Sequence, residues 1–216
     1  MRIHGRLIVA ASALLVAAPA CTGTFRTSVQ SGGSEAHGSS FTPALEHTGR
    51  VVAFASDASD LVPNDGNGAS DVFVRNTVDQ TTTLVSRSSG DALGNGNSGN
   101  PSVSADGRYV LFTSLATNFV AGDDNAVSDV FLRDRQLGTT ALLSHTTDGT
   151  VANGTSVGIE LSDDGRKALI RSNASDLVAG SSGEQLYLVN LAAGTITRVS
   201  QPSLCPLHHD LSLIHI

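Results

Sequence analysis

The sequence predicts an all-β protein, a β-propeller built of four-stranded antiparallel blades. One observation is a 58-residue unit that occurs three times, and another is that each unit holds four short strand-like segments separated by turn residues. The composition agrees, because abundant Thr favours strands and abundant Ser, Asn, Asp and Gly favour turns. Aromatic residues make up 4% and Trp is absent, so the core must consist mainly of Val, Leu, Ile and Ala.

A turn glycine fixes the length of the repeat. Gly49, Gly107 and Gly165 follow one another at intervals of 58 residues. The segments "SDVFVR" (70–75) and "SDVFLR" (128–133) keep the same spacing, and the third copy has lost two residues before its counterpart. So many features in one register identify an internal repeat.

Each unit begins with two strands joined by a tight turn. In the second copy the first strand surrounds "PSVS" (101–104). Asp106 and Gly107 then form the turn, because Asp can bond its own backbone and Gly accepts a positive φ. The following "RYVLFTS" (108–114) carries apolar residues on both faces, which predicts a strand buried on both sides.

Each unit ends with a polar loop and two further strands. The third strand, "DVFVRN" (71–76) in the first copy, alternates with period two. The fourth, "TTTLVS" (81–86), is rich in Thr and suits a sheet edge. Four such strands make a propeller blade. A solenoid is the alternative, but 58 residues is long for a coil of one or two strands.

Three blades are therefore expected, too few for a ring of about four to eight. The segment "FRTSV" (25–29) aligns with 83–87, which predicts that it is the fourth strand of a preceding blade. The predicted limits are 21–42 for the mature N-terminus with this closing strand, 43–100 for blade 1, 101–156 for blade 2 and 157–200 for blade 3.

The repeat resembles a known family. The segments "SADGRYVLFTS" (104–114), "SDVFLRD" (128–134) and "TTALLS" (139–144) are similar to the repeats of TolB-type propellers, which are relatives of WD-repeat proteins. The resemblance covers residues 25–200 and implies the propeller fold. It implies little about function, since such propellers serve many roles.

The first twenty residues predict a signal peptide. A short basic start precedes a twelve-residue apolar run (7–18), which as a helix would measure about 18 Å against the ~30 Å of a bilayer core. The stretch "AAPAC" (17–21) resembles a bacterial lipobox and makes Cys21 a lipidation candidate; the alternative is cleavage after Ala20 that leaves an incidental thiol. Both predict an extracytoplasmic protein, periplasmic, secreted or lipid-anchored.

The repeat stops after residue 200. The final "LSLIHI" (211–216) resembles the translated end of a sequencing adapter. We therefore expect 201–216 to be a non-native tail and the chain to be an N-terminal fragment, and we assign no function to Cys205, His208 or His209.

Charge and motifs exclude several classes of function. The net charge of −7 and the lack of a Lys/Arg cluster argue against nucleic-acid binding. Zinc-protease and phosphate-loop motifs are absent from the sequence, and the one G-x-S-x-G match, "GTSVG" (154–158), lies at the start of a repeat unit rather than between a strand and a helix. Asp163–Asp164 fits a turn rather than an acid–base pair. The sequence favours an exported non-catalytic module that binds protein, peptide or glycan at its axial face or loops. The alternative is the N-terminal gating propeller of a larger, prolyl-peptidase-like hydrolase; acidic pairs across blades, as in a glycosidase, are a third option.

The polar loops before the third strands are the candidate cation sites. Their D-x-N-x-x-x-D spacing places oxygens on one side of a tight loop, as a hard cation such as Ca²⁺ requires. The alternative is that these residues only cap turns. No other cofactor is predicted. The candidate ligands are Asp65, Asn67 and Asp71 in the first copy and Asp123, Asn125 and Asp129 in the second.

Two arginines end the third strands of the first two copies. Arg75 and Arg133 are expected to pair, partly exposed, with Asp57 or Asp134. Such pairs contribute little to stability.

Overall fold

The computed structural model describes residues 25–200. The predicted signal peptide, Cys21 and the C-terminal tail lie outside these residues. The described part contains twelve strands and no helix, and accordingly no helix in it could cross a membrane.

The strands form three antiparallel sheets of four, each in chain order from one edge to the other. The sheets are called the first, second and third blades, and they confirm the predicted all-β propeller architecture. The first comprises β1 (Ser40–Leu45), β2 (Val51–Ser56), β3 (Asp71–Asn76) and β4 (Thr81–Leu84); the second β5 (Ser98–Val103), β6 (Tyr109–Ser114), β7 (Asp129–Asp134) and β8 (Thr139–Leu142); the third β9 (Ser156–Leu161), β10 (Lys167–Ser172), β11 (Gln185–Asn190) and β12 (Thr195–Arg198).

The first strand of each blade begins up to three residues before the predicted blade limit, at Ser40, Ser98 and Ser156. In the first blade the pairing of β1 with β2 continues through a bulge that contains Thr42 and Pro43, with Thr42 at φ 44°. A proline cannot donate a ladder hydrogen bond, but it is tolerated at a bulge on an edge strand. The strand therefore extends past the proline.

The blades stack face to face with their first strands on the inner side. β5 packs against β1, β2 and β3, and β9 packs against β5, β6 and β7. The inner strands β1, β5 and β9 consequently run side by side, as around the axis of a propeller, while the Thr-rich β4, β8 and β12 form the opposite edge of each sheet.

The second strand of the second blade is buried on both faces, as predicted. Val110 and Phe112 join a core shared with Ala53 of the first blade. Leu111, on the opposite face, joins a core shared with Ile170 of the third blade. A single blade could not bury both faces, which is the physical reason for the repeat.

A pair of large side chains crosses the second and third strands of every blade. Phe54 stacks on Phe73 with ring centroids 5.9 Å apart, and Phe112 stacks on Phe131 at 5.7 Å. Stacked pairs of this kind add about 0.5–1.5 kcal/mol beyond the area they bury. In the third blade Ile170 and Tyr187 occupy the two positions, and the Tyr187 hydroxyl is buried without a hydrogen-bond partner in the described residues.

The turn glycine of one blade lies against the preceding blade. Gly165 has φ +65°, and a Cβ at this position would lie 2.5 Å from Cδ2 of Tyr109 in the second blade. Gly107 has φ +69°, and its Cβ would lie 2.8 Å from Val51 of the first blade. At Gly49 (φ +74°) a Cβ would meet nothing within 4 Å among the described residues. Two of the three turn glycines are thus required by packing as well as by conformation.

A carboxylate organises the same turn. Asp164 accepts hydrogen bonds from the Ser162 hydroxyl (2.7 Å) and the Arg166 N–H (3.0 Å). In the first blade Glu46 accepts four hydrogen bonds, from the N–H and hydroxyl of Thr48 and the N–H groups of residues 50 and 51. Burial raises the pKa of Glu46, but the four hydrogen bonds outweigh it and lower that pKa from 4.5 to about 2.

The predicted ion pairs of the two arginines are wrong. Arg133 is 9% exposed, and its Nη1 donates to the Ser88 carbonyl (3.0 Å) and to Thr140 Oγ1 (3.0 Å). Arg75, 3% exposed, makes the corresponding bonds to the Gln30 carbonyl and to a threonine hydroxyl. Both guanidinium groups therefore bind the connection that precedes their own blade. The two predicted acceptors, Asp57 and Asp134, bind Ser70 and Arg108 instead.

Residues 25–29 form no strand in the described structure. Val29 pairs with Glu35 in an isolated bridge, and two equivalent bridges, Arg87 with Leu93 and His145 with Val151, occur at 58-residue intervals. The predicted alignment with 83–87 therefore gives the register correctly, while the segment itself is the connecting turn ahead of the first blade.

Candidate functional site

Polar groups gather at the end of the blades where the inner strands begin. This end, called the upper face, also carries the ends of the second strands, the polar loops and the starts of the third strands. Each blade fixes it with a pair of serine hydroxyls. The pairs are Ser40 with Ser56 (3.0 Å), Ser98 with Ser114 (2.9 Å) and Ser156 with Ser172 (2.8 Å).

These serine pairs were not predicted from the sequence. Their signal was present, since each serine recurs at 58-residue intervals. The second serine of each pair also accepts the N–H of the residue two positions on, for example Ala116 at 2.9 Å. The upper face is therefore held by hydrogen bonds that do not depend on charge.

A groove of about 450 Å³ opens at the upper face between the first and second blades and reaches β9. Phe41 and Leu115 are 40% and 48% exposed at its walls. Asn97 and Asn100 are exposed beside them, and no charged side chain from residues 25–200 lines the groove. We call it the inner groove; it is lined by Phe41, Ser70, 97–100, 113–115, Ser128 and Val157.

The asparagine of the first polar loop closes that loop. Asn67 Nδ2 donates to Asp71 Oδ2 (2.7 Å) and to the Gly94 carbonyl (3.1 Å), while its Oδ1 accepts the N–H of Ala69 (3.1 Å). Asn125 makes the equivalent contacts in the second blade. In both loops the amide turns its nitrogen, not its oxygen, towards the aspartate.

The aspartate that opens the third strand is held by a serine at the end of the fourth. Ser86 donates to Asp71 Oδ1 (2.5 Å) and accepts the Val72 N–H (3.0 Å). The second blade has the same arrangement of Ser144 on Asp129. In the third blade Gln185 replaces the aspartate, and Ser200 donates to its Oε1 (2.6 Å). This contact serves the structure of all three blades.

The first aspartate of each loop is buried near the second. Burial and the charge of Asp71 raise the pKa of Asp65 to about 6, although the Arg87 guanidinium lowers it in part. Burial and the neighbouring charge of Asp124 raise the pKa of Asp123, which is 6% exposed. Each loop thus brings two carboxylates together.

The pKa of Asp129 is also raised. Burial is the largest cause, and the charge of Asp123 raises the pKa further, whereas the Ser144 and Asn125 hydrogen bonds lower it. The resulting pKa of Asp129 is about 6. Oδ1 of Asp123 is buried and has no hydrogen-bond partner among residues 25–200. Within the same residues no group of three His, Cys, Asp or Glu side chains is arranged to hold a metal ion. Calcium binding remains a prediction.

Comparison with known proteins gives similarity to β-propellers. No family model matches the chain, and no curated protein sequence matches it. TolB from Acinetobacter baumannii is similar, with 17% identity, a TM-score of 0.46 and coverage of 79% of this chain and 34% of that one.

Two further similar solved structures come from a protease and a peptidase. One is the β-propeller domain of the Trilobed protease from Pyrococcus furiosus (14% identity, TM-score 0.48, coverage of 77% of this chain and 44% of that one). The other is the Pyrococcus horikoshii acylaminoacyl peptidase (11% identity, TM-score 0.46, coverage of 78% and 26%). The chain spans less than half the length of each of the three proteins. TolB is among them, as the repeat motifs led us to expect.

Proposed function

We propose that this chain is a non-catalytic propeller module that binds an extended, uncharged peptide segment of a partner protein in the inner groove. The observation that carries the proposal is the half-exposed pair Phe41 and Leu115 beside Asn97 and Asn100, in a groove without charged side chains. Monomeric proteins seldom expose adjacent large apolar side chains at a concave site without a partner for them.

The lining suits a peptide better than the other predicted ligands. Apolar side chains of a peptide would cover Phe41, Leu115 and Val157, and its backbone amides would meet the side-chain amides of Asn97 and Asn100. A glycan would more commonly be held by stacking on several aromatic rings, whereas the groove offers one. A protein domain would need a larger surface than a groove of about 450 Å³.

The groove lining supports a binding role rather than catalysis. The part of the chain that the structure describes contributes no carboxylate, histidine, cysteine or lysine to it, and so supplies no general acid or base there. Its serines Ser98 and Ser114 bind each other at 2.9 Å and lack an activating partner.

We further propose that the module acts outside the cytoplasm. The support is the predicted signal peptide in residues 1–20 and the lipidation candidate Cys21. Mass spectrometry of the mature N-terminus after expression in a bacterial host tests it. A diacylated Cys21 indicates a lipid anchor, an unmodified terminus at or near residue 21 indicates a soluble exported protein, and an intact Met1 contradicts export.

The binding proposal is tested with a random-peptide phage library and the full chain. Peptides selected on the unmodified chain should bind the double variant Phe41→Ala, Leu115→Ala at least ten-fold more weakly, because each truncation removes about 1–2 kcal/mol of apolar contact. The matched control is Val78→Ala, Leu137→Ala, since those side chains are 64% and 68% exposed away from the groove. Equal binding by both double variants, or selection of no peptide at all, contradicts the proposal.

The gating alternative and the binding module predict different coding sequence downstream of these residues in the same reading frame. A hydrolase domain with a nucleophile elbow in the same reading frame would support a gating propeller. Further 58-residue repeats without such a domain would support the binding module.

A further inference from the structure

We propose that the polar loop of the second blade binds one divalent cation, Ca²⁺, between Asp123 and Asp129, and that the matching loop of the first blade does not. The buried Oδ1 of Asp123 has no hydrogen-bond partner among residues 25–200. The residue is only 6% exposed, and Asp129 beside it is fully buried. The two carboxylates are thus buried together in the described part of the chain, and one buried oxygen among the four lacks a hydrogen-bond partner there.

Two buried carboxylates need compensation. A buried charge without a partner costs far more free energy than an exposed one, so such groups are found paired, protonated or bound to a metal. Asp129 receives the Ser144 hydroxyl and the Asn125 amide, whereas Asp123 receives no hydrogen bond on Oδ1. No Lys or Arg in residues 25–200 forms a salt bridge with either carboxylate.

The first blade supplies an internal comparison. Asp65 and Asp71 occupy the same repeat positions there, and burial raises the pKa of both, but the positive charge of Arg87 opposes that rise in part. The residue at the Arg87 position in the second blade is His145, whose Nδ1 is 2.8 Å from the Thr146 carbonyl. Arg87 forms its own salt bridge with Asp91 (3.1 Å), so the first pair lies near an arginine without a salt bridge to it, and the second pair has a histidine at that position.

The third blade completes the series. Gln185 stands where the other blades have Asp71 and Asp129, and the loop before it contains no aspartate–asparagine pattern. The three blades thus contain an acidic pair with an arginine, an acidic pair without one, and no acidic pair. Because the same backbone serves all three, folding alone does not require the uncompensated carboxylates of the second blade.

The donor set suits Ca²⁺. Carboxylate oxygens are hard ligands, and Ca²⁺ tolerates the irregular geometry of a loop, with backbone carbonyls and water completing six to eight ligands. Asn125 is excluded as a ligand, because its Oδ1 accepts the Val127 N–H (3.0 Å) and its nitrogen faces Asp129. With two protein carboxylates the expected Kd is about 10⁻⁴–10⁻³ M, the range of extracellular modules.

The test is thermal unfolding of the full chain in EDTA and in CaCl₂, with calorimetric titration of CaCl₂ alone as the direct binding measurement. At a ten-fold excess over Kd, Ca²⁺ should raise the Tm by about 3–6 °C. Asp123→Asn should abolish this shift and the binding heat. The matched control Asp65→Asn should retain both, because its loop already lies near the positive charge of Arg87.

A second variant keeps the proposal testable if Asp123→Asn does not fold. His145→Arg places an arginine at the Arg87 position of the second blade. It should raise the Tm in EDTA and remove the Ca²⁺-dependent shift. The proposal is overturned if the unmodified chain shows neither shift nor heat, or if Asp65→Asn loses the response while Asp123→Asn keeps it. Peptide binding in the inner groove does not involve these residues, so the two proposals fail separately.

Discussion

Substituting the turn glycine of the third blade tests how the blades stack. Gly165 combines a positive φ of +65° with a position against Tyr109, where a Cβ would come to 2.5 Å from Cδ2 and 3.1 Å from Cε2. The ring has little room to retreat, because the Arg108 guanidinium carbon lies 4.7 Å from its centroid. Gly165→Ala therefore adds steric overlap between two blades to the cost of the left-handed backbone.

The magnitude follows from the two contributions. The left-handed conformation costs an alanine about 1 kcal/mol, and this cost also applies to Gly49→Ala, whose surroundings are open. Overpacking against Tyr109 adds about 1–3 kcal/mol at position 165 alone. We expect the free energy of unfolding to fall by about 2–4 kcal/mol for Gly165→Ala and by about 1 kcal/mol for Gly49→Ala.

Urea unfolding followed by circular dichroism measures both losses. Two further proteins, Tyr109→Ala and Gly165→Ala with Tyr109→Ala, isolate the contact, since in the absence of the ring the cost of the alanine should fall to that seen at position 49. Equal losses for the two glycine variants, or no relief from Tyr109→Ala, would refute the stacking of the third blade on the second through this turn.

Two other substitutions test single side chains. Glu46→Gln should lower the free energy of unfolding by about 2 kcal/mol near neutral pH, because the hydrogen bonds that converge on Glu46 are stronger to a charged acceptor. Since the folded pKa of about 2 lies below the ordinary value of 4.5, the Glu46 contribution is complete above about pH 4.5 and is lost as the pH falls towards 2. The difference between the two proteins should therefore shrink over that interval in acid titrations monitored by urea unfolding, and a constant difference would contradict the assignment. Tyr187→Phe should raise the Tm, with a gain of about 1 kcal/mol from removal of a buried unpaired hydroxyl. The reciprocal Phe131→Tyr should lower the Tm, and a lower Tm for Tyr187→Phe would contradict this account.

The parts of the fold that depend on local chemistry were predictable from the sequence. The turn glycines, the positions of β3 and β7, and the doubly buried β6 all follow from spacing and residue type. The predicted alternation of β3 and β7 does not appear in their burial, because apolar cores cover both faces of these strands as well. The early start of the inner strands did not follow, because Pro43 and Pro101 suggest a strand boundary where the chain instead forms a bulge. Tertiary pairing with β2 and β6 overrides the local preference.

Contacts between blades were beyond the reach of the sequence. Arg75 donates to the carbonyl of Gln30, 45 residues earlier, an acceptor that carries no side-chain signal. The proximity of Arg87 to Asp65 was likewise hidden, because the two positions come together only when the polar loop and the connection after β4 fold side by side. The inner groove, built from the ends of several strands, could not be derived from any one motif.

Hydrogen exchange of the full chain, with and without a library-selected peptide, tests the binding role most directly. If the peptide occupies the inner groove, amide protection should increase at 98–100 and 113–115, at the starts and ends of the strands that line it. Unchanged exchange at these positions, with protection instead at the opposite end of the blades around 46–51 and 76–79, would contradict the proposed function.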